Sequence, residues 1–387
     1  MSDEQRPSVG GQAVIEGVMM RGPSCLAVAV RNIRGEIVVR DQPWRSIWER
    51  LRFLRWPFLR GGVVLVESLA NGMSALSYSA RIAAEGEQER VSGLGVRGSG
   101  MTSERTDAER RPPDSGPQTS APTGLDGSPA EHPESRTPSF GWILIPTLLF
   151  ALLVFKGVPH VVALLLDSLM GGRGVSGALF HVVDGAIKLL LFVGYLAAIS
   201  RIKEIRRVFA YHGAEHKAIA THEARESLTV ENARARSRFH PRCGTAFLLF
   251  VIVVGVLLYM LILPLLPPLV ATPWLNQVLL VLLKIVLLLP IAGLSYEVIR
   301  LSGKFGKNPL VRVLMAPGLA LQRLVTREPT DDQIEIALVS LSTALAREQA
   351  TKEARAGEPR AVLPEREAVF PTYSAFQEGL AGWGGGR

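Results

Sequence analysis

TAFLLFVIVVGVLLYMLILPLL, Thr245–Leu266, decides the fold class. It carries no charged residue before Pro267 and Pro268, and at ~1.5 Å of rise per residue it is long enough as a helix to cross the ~30 Å hydrocarbon core of a bilayer. Working outward, Leu275 to about Val298 forms a second apolar stretch broken only by Lys284, and Gly177 to Ile199 a third that carries His181, Asp184 and Lys188. A fourth begins near Trp142 and is interrupted by Lys156, Gly157, Pro159 and His160 before Val161–Leu166 resume. One kinked span or a re-entrant hairpin both fit 141–169, because irregular backbone is tolerated at membrane depth when protein buries it.

These stretches predict an α-helical polytopic membrane protein of about four transmembrane helices. Of the 387 residues 48% are hydrophobic and 20% charged, but the apolar ones crowd into 141–200 and 244–299, which excludes one ordinary soluble globule. The formal net charge is +8, and its placement sets the orientation. The loop 201–243 holds ten Lys and Arg against five Glu, and Arg300, Lys304, Lys307 and Arg312 follow the last span. The positive-inside rule makes that loop and both termini cytoplasmic. The opening MSDEQRPSVGG lacks the apolar core of a signal peptide. Cys25 and Cys243 are too few for a disulfide framework and read as reduced thiols.

The polar parts divide around the spans. Residues 9–83 form an N-terminal module. Cys25–Asp41 (CLAVAVRNIRGEIVVRD) places two β-branched runs around a turn, predicting a small β-hairpin. The stretch 44–83, with Trp44, Trp48 and Trp56 among five arginines, suits an amphipathic interfacial helix. Within it Gly61–Ala80 is long enough to span and fairly apolar, but Glu67 and Asn71 lie near its centre, where a charge would cost about 2.5–3.5 kcal/mol. Residues 84–140, rich in Ser, Pro, Gly, Glu and Arg, read as a disordered linker. The transmembrane region is 141–300, with the His-rich loop 201–243 inside it. In 301–349, Thr330 and Gln333 form a capping box ahead of an apolar stripe, predicting a cytoplasmic helix. The tail 350–387 is polar and reads as disordered.

The chemistry concentrates in Phe209–Glu223, FAYHGAEHKAIATHE. His212 and His216 are one turn apart on a predicted helix with Glu215 beside them. His-x-x-Glu-His is the inverted zincin arrangement, in which both His bind zinc and Glu is the general base. Glu223 returns to the same face two turns later, and His222 stacks below Glu215. Two sources compete to complete the ligand set. His240 and Cys243, in HPRC, would fill a tetrahedron and give a structural zinc; Glu297 in SYE would leave a position for water and support hydrolysis. The alternative for Glu297 is a pair with Arg300 at i+3, and a helix just inside a membrane also carries His and Glu as a solvated face.

Other candidates lie farther off. Lys156, Lys188 and Lys284 fall within expected spans, where lysines pair or face a polar cavity; Asp184 is four residues before Lys188. The remaining two point to an anionic headgroup or polar substrate, or snorkel to an interface. Glu16 is the only acid in the opening motif Gly10–Pro23, GGQAVIEGVMMRGP, and serves either the site or the docking of the hairpin. The Gly spacing there fits neither phosphate-binding loop.

Taken together, GGQAVIEGVMMRGP, FAYHGAEHKAIATHE, HPRCGT, SYEVIR and the Ala316–Ala337 stretch (APG…EPTDDQIEIA) resemble the YqhQ family of bacterial membrane proteins. The resemblance covers about residues 9–83 and 140–347. It implies a multi-span inner-membrane protein, described as a predicted metal-dependent enzyme, and supplies no reaction. His212, Glu215, His216, His240, Cys243 and Glu297 match the family pattern, and 86–139 reads as an insertion relative to shorter members.

The expectation is a metal-dependent hydrolase at the cytoplasmic membrane surface, using zinc or another divalent metal. The alternative is a non-enzymatic assembly or regulatory factor for other membrane proteins with a structural metal. The partners are the lipid bilayer and other membrane proteins, with oligomerisation open. Transport is weaker, with few spans and no internal repeat. No aromatic-interleaved basic patch or nucleic-acid-binding module appears.

Overall fold

Alternation in residues 10–43 builds strands, and continuous apolar runs within them mark strands buried on both faces. The computed structural model describes residues 7, 9–47, 56, 59–98, 146, 147, 149, 150, 153–169, 178–241, 243–305, 308–357 and 362–384. Four strands, β1 (Gly10–Val14), β2 (Gly17–Arg21), β3 (Cys25–Arg31) and β4 (Ile37–Pro43), meander in chain order, each antiparallel to the last. The expected hairpin is the β3–β4 pair, with Arg31 opposite Ile37 and Gly35 at φ +82° in its turn. Asn32 Oδ1 closes that turn by accepting from the N–H groups of Arg34 and Glu36 at 3.0 and 2.9 Å.

A fifth strand, β5 (Arg366–Phe370), pairs antiparallel with β4, Ile37 opposite Phe370. The tail expected to be disordered from 350 therefore departs from that reading. Its helix continues to Gly357, β5 completes the sheet, and a further helix follows. Its composition hides this because β5 alternates partly buried with exposed residues at a sheet edge. Its partner strand lies some 320 residues earlier.

Helices cover both faces of the sheet. Helix α1 (Leu59–Gly98) packs Ala75, Tyr78 and Ile82 against Val14, Met19, Leu26, Val28, Val30 and Val38. The opposite face (Val18, Met20, Cys25, Ala27, Ala29, Ile37, Val39) meets residues of the helices Lys203–Glu223 and Asp331–Gly357, and Phe376. The result is a three-layer α/β/α unit. The helix expected to lie in the interface is thus partly a domain helix, and it runs through what composition reads as the start of the linker; residues 99–145 lie outside those described. Glu67 is buried because it accepts hydrogen bonds from Ser46 Oγ at 2.6 Å and Ile47 N–H at 2.7 Å.

The remaining helices follow in order. α2 (Val158–Leu169) comes after a single π-helical turn at Leu153–Gly157, and α3 is Ala178–Ile199. α4 (Lys203–Glu223) and the short α5 (Val230–Ala235) return to the sheet domain. α6 (Gly244–Ile262), α7 (Pro273–Val286) and α8 (Leu288–Lys304) are apolar; α9 (Pro309–Val325), α10 (Asp331–Gly357) and α11 (Tyr373–Gly384) complete the chain. The capping box is present at α10, where Thr330 N–H donates to Gln333 Oε1 at 3.0 Å.

Among the described residues three segments are long and apolar enough to cross a membrane: Val182–Ile199, Gly244–Ile262 and Pro273–Leu301. The expected fourth, in 141–169, is represented by the twelve-residue α2 and its π-helical turn. The outward residues Leu190, Leu257, Leu261, Leu282 and Leu289 are all more than half exposed, a surface that suits lipid rather than water.

Candidate metal centre

Helix periodicity puts His212 and His216 on one face of α4, and the N-cap position of α6 brings Cys243 to them. One ligand atom from each lies within 4.8 Å of the others. His212 Nε2 is 3.3 Å from Cys243 Sγ, close to the roughly 3.5 Å separation that zinc–nitrogen and zinc–sulfur bonds impose in a tetrahedron. Two imidazoles and a thiolate form a donor set that zinc takes readily.

The outer atoms of the rings strengthen the fit. His212 Nδ1 is 2.8 Å from the carbonyl of Val325, and His216 Nδ1 is 2.5 Å from that of Arg238. A carbonyl only accepts, so each Nδ1 carries a proton, which leaves Nε2 as the atom a metal would take. This is how metal-binding histidines are held. Those carbonyls come from the end of α9 and from the loop before α6, so three parts of the chain, α4 included, fix the two rings.

Glu215 is buried beside the cluster. Burial pushes its carboxyl above the ordinary range, against the pull of His216 and His212. Burial also acts against charge on His212, but the Cys243 sulfur outweighs it and raises that imidazole to about 9. For Cys243, burial would push the thiol up; His212 and His216 outweigh it and hold it well below the usual thiol range. The metal-free cluster is a thiolate–imidazolium pair, with the charge state a ligating sulfur needs.

His240 is near but differently engaged. Its ring centre lies 5.7 Å from that of His216, its Nε2 is 3.3 Å from Glu223 Oε2, and Gln322 holds its main chain. Glu297 is placed elsewhere: Arg60 of α1 forks across both its oxygens, and Arg300 lies 3.9 Å away. A bidentate arginine occupies the lone pairs a metal would use, so the Glu297-completed ligand set finds no support in this geometry. His222 is buried with Nε2 3.3 Å from the carbonyl of Pro7, lining a cleft of about 240 Å³ with Glu348 and Lys352. Glu16 pairs with Arg207, and the Tyr211 hydroxyl donates to it at 3.4 Å; it docks the first hairpin on α4. Asp184 and Lys188 pair within α3.

Several supporting residues escape a reading by motif. A Cβ on Gly11 would fall 2.6 Å from Glu215 Cγ, so the opening glycines leave the space that Glu215 occupies. Lys217, 3% exposed, donates to the carbonyls of Arg234 and Arg236 at 2.9 and 2.8 Å and meets Glu328 at 2.6 Å. Thr245 Oγ1 is 3.0 Å from Cys243 Sγ. The signal for Lys217 was its place between His216 and the apolar Ala218–Ile219, where a charge must be tied down.

Apolar helices joined to a three-layer α/β unit define a mostly helical, membrane-associated protein with a His/Cys cluster at the junction. Residues 56–347 match the family described as "Protein of unknown function (DUF1385)". "Uncharacterized protein YqhQ" of Bacillus subtilis (strain 168) is 32% identical over 356 residues, covering 90% of this chain and 95% of that protein. The chain belongs to this YqhQ (DUF1385) family. No solved structure matches it.

Proposed function

We propose that this protein is an integral membrane metal-dependent hydrolase whose zinc, or another divalent metal, is held by His212, His216 and Cys243. The observation that carries the reading is the pair of histidines whose Nδ1 atoms are bound to main-chain carbonyls while a thiol sulfur lies 3.3 Å from His212 Nε2. His240 is turned to Glu223, which leaves three protein ligands, the number typical of catalytic rather than structural zinc. A zinc ion bound there supplies Lewis acidity toward water and toward a carbonyl or phosphoryl oxygen. Glu215 would take the proton of an attacking water and return it to the leaving group, and burial, which raises its carboxyl, would suit that exchange. A lipid or a membrane-protein segment is the substrate class that fits a site at the start of a span.

The sheet supports a four-span topology. α1 and α4 pack on the same sheet, so the chain between them crosses an even number of times, yet among the described residues it contains one long apolar helix, α3. The second crossing falls to the segment containing α2. Phe155 meets Tyr195, near the end of α3 that leads to α4, at 5.9 Å between ring centres. Four crossings and a basic 201–243 loop put the domain and both termini in the cytoplasm.

The test is metal content per chain in detergent-purified protein, beside a His212→Ala/His216→Ala double variant and Cys243→Ala. About one zinc in the parent and none in the double variant is expected. No metal in the parent after zinc reloading would sink the proposal. Glu215→Gln should keep the metal and lose hydrolysis of any substrate found.

A second reading has its own support. Glu215, His216 and Cys243 are all 5% exposed or less, and the cleft beside His222 is lined by none of the cluster's donors. A closed zinc with His240 as fourth ligand would then fasten the soluble domain to the spans in a non-enzymatic assembly factor. Metal spectroscopy separates the two: an exchangeable water favours hydrolysis, and a filled His₃Cys shell favours the structural role.

A further inference from the structure

A second polar cluster lies inside the bundle, at the end away from the histidines. Phe180, Asp184 and Lys188 follow one another at four-residue spacing on α3, so they line one face of that helix. Asp184 is 2% exposed; Lys188 pairs with its Oδ2, and Oδ1 is buried with no hydrogen-bond partner. Lys284 of α7 comes to the same face. It is 4% exposed, and its ammonium lies over the rings of Phe180 and Tyr259 at 5.8 and 5.7 Å. The Tyr259 hydroxyl donates to the main-chain carbonyl of Lys284 at 2.8 Å, fixing α6 against α7. His160 of α2 stacks edge-on against Phe180 at 5.4 Å between ring centres. Four helices converge on these side chains.

Their depth matters. Asp184 lies six residues inside the far end of α3, about 9 Å, and Lys284 eleven residues from the start of α7, about 16 Å. Neither can be treated as a surface charge. Two lysines share one carboxylate in a low-dielectric region, which leaves one unit of positive charge uncompensated. Ring faces attract a cation, but they do not neutralise it, and they offer nothing to Asp184 Oδ1. What the cluster lacks is therefore specific: an anionic oxygen for Lys284 and a hydroxyl donor for Asp184. A singly protonated phosphate monoester carries both on one phosphorus atom, whereas a phosphodiester has the charge without the hydroxyl.

We propose that Asp184, Lys188 and Lys284 form an intramembrane binding site for a phosphomonoester group, entered from the end of the bundle opposite the His/Cys cluster. The phosphate belongs either to a lipid headgroup or to a free anion. The site is independent of the metal reading, since it shares no residue with it.

The experiment is a thermal-unfolding titration of the full chain in neutral-lipid nanodiscs, with phosphatidic acid, phosphatidylglycerol or inorganic phosphate added separately. The expected result is a saturable rise in Tm with phosphatidic acid or with inorganic phosphate, and a smaller one with phosphatidylglycerol. Response to phosphatidic acid alone assigns the lipid source, and response to inorganic phosphate assigns the free anion. Lys284→Met should abolish the rise, while Lys284→Arg, which keeps charge and donors, should retain it. No saturable rise with either monoester, an equal response to phosphatidylglycerol, or the same rise in Lys284→Met would each overturn the proposal. If Lys284→Met does not fold, native mass spectrometry of the parent decides: a retained monoester adduct supports the site, and only the bare chain across the titration overturns it.

Discussion

The side-chain amide of Gln322 clasps the main chain of His240 from both sides. Gln322 Oε1 accepts from the His240 N–H at 2.9 Å, and Gln322 Nε2 donates to its carbonyl at 2.7 Å. Gln322 is fully buried in α9, and its amide satisfies the main chain of the loop before α6. Replacing it by leucine leaves two buried main-chain groups unpaired and should cost about 2–4 kcal/mol of stability. Zinc affinity adds a discriminating readout. A large loss in Gln322→Leu marks His240 as a ligand, and a small one leaves His212, His216 and Cys243 as the set.

The charges on His212 and Cys243 make a definite pH profile for metal-free protein. The folded-state pKa of His212 is raised from 6.5 to about 9, so its contribution is fully present below 6.5 and is lost as pH rises through about 9. That of Cys243 is lowered well below 9.0, so its contribution is present above 9.0 and is lost as pH falls through the folded value. Between about 6.5 and 9 the pair binds one proton in both the folded and the unfolded state, and its effect on stability is flat. Below 6.5 the unfolded chain binds the extra proton, and stability falls by up to about 1.4 kcal/mol per pH unit. Thermal midpoints in chelator should show this acid limb in the parent and lose it in Cys243→Ala. Superimposable profiles would rule out the pair.

Arg347 and Asp41 form an ion pair at 1% and 0% side-chain exposure, and Arg347 also donates to the Leu363 carbonyl at 2.7 Å. Removing one partner strands a buried charge, at about 3–5 kcal/mol. Arg347→Ala should therefore destabilise the domain and free the chain leading to β5. Hydrogen exchange is the check: amides of Arg366–Phe370 should lose protection before those of β2 and β3. Equal loss in all strands would mean the pair does not anchor the tail.

A Cβ at Gly213 would lie 2.1 Å from the Arg327 carbonyl oxygen. Gly213 is thus where α4 presses against the chain leaving α9, which donates back through Arg327 N–H to the Phe209 carbonyl at 2.8 Å. Gly213→Ala should cost about 1–3 kcal/mol through overpacking and loosen the proposed metal site, because His212 is the adjacent residue. An unchanged Tm and metal content would show that the contact yields freely.

The apolar spans were legible because lipid demands unbroken hydrophobic length, and Thr245–Leu266 supplies it locally. The α4 histidines were legible for a similar reason, since spacing along one helix fixes a shared face. Cys243 was found as one of two competing completions, because nothing in a sequence says which loop folds back on α4. Glu297 misled for the same reason: its partner Arg60 lies 237 residues earlier, and the nearer Arg300 is the one that spacing suggests. The role of Gly11 beneath Glu215 and the strand in the tail were both illegible, being contacts between distant segments whose own composition is ordinary. Helix α1 shows a further case, where a moderately apolar stretch with a buried acid reads as interfacial until the sheet that covers it is known.

The pairing of β4 with β5 sets an order for biosynthesis. β1 to β4 leave the ribosome first, but the strand that covers the β4 edge follows about 320 residues later, some 15–60 s at ordinary rates of translation. Every membrane segment is made in that interval. The nascent sheet must wait with an open edge, a template for pairing with other chains, until the bundle has been inserted and the last segment emerges. Completion of the sheet thus reports that the membrane half is already in place.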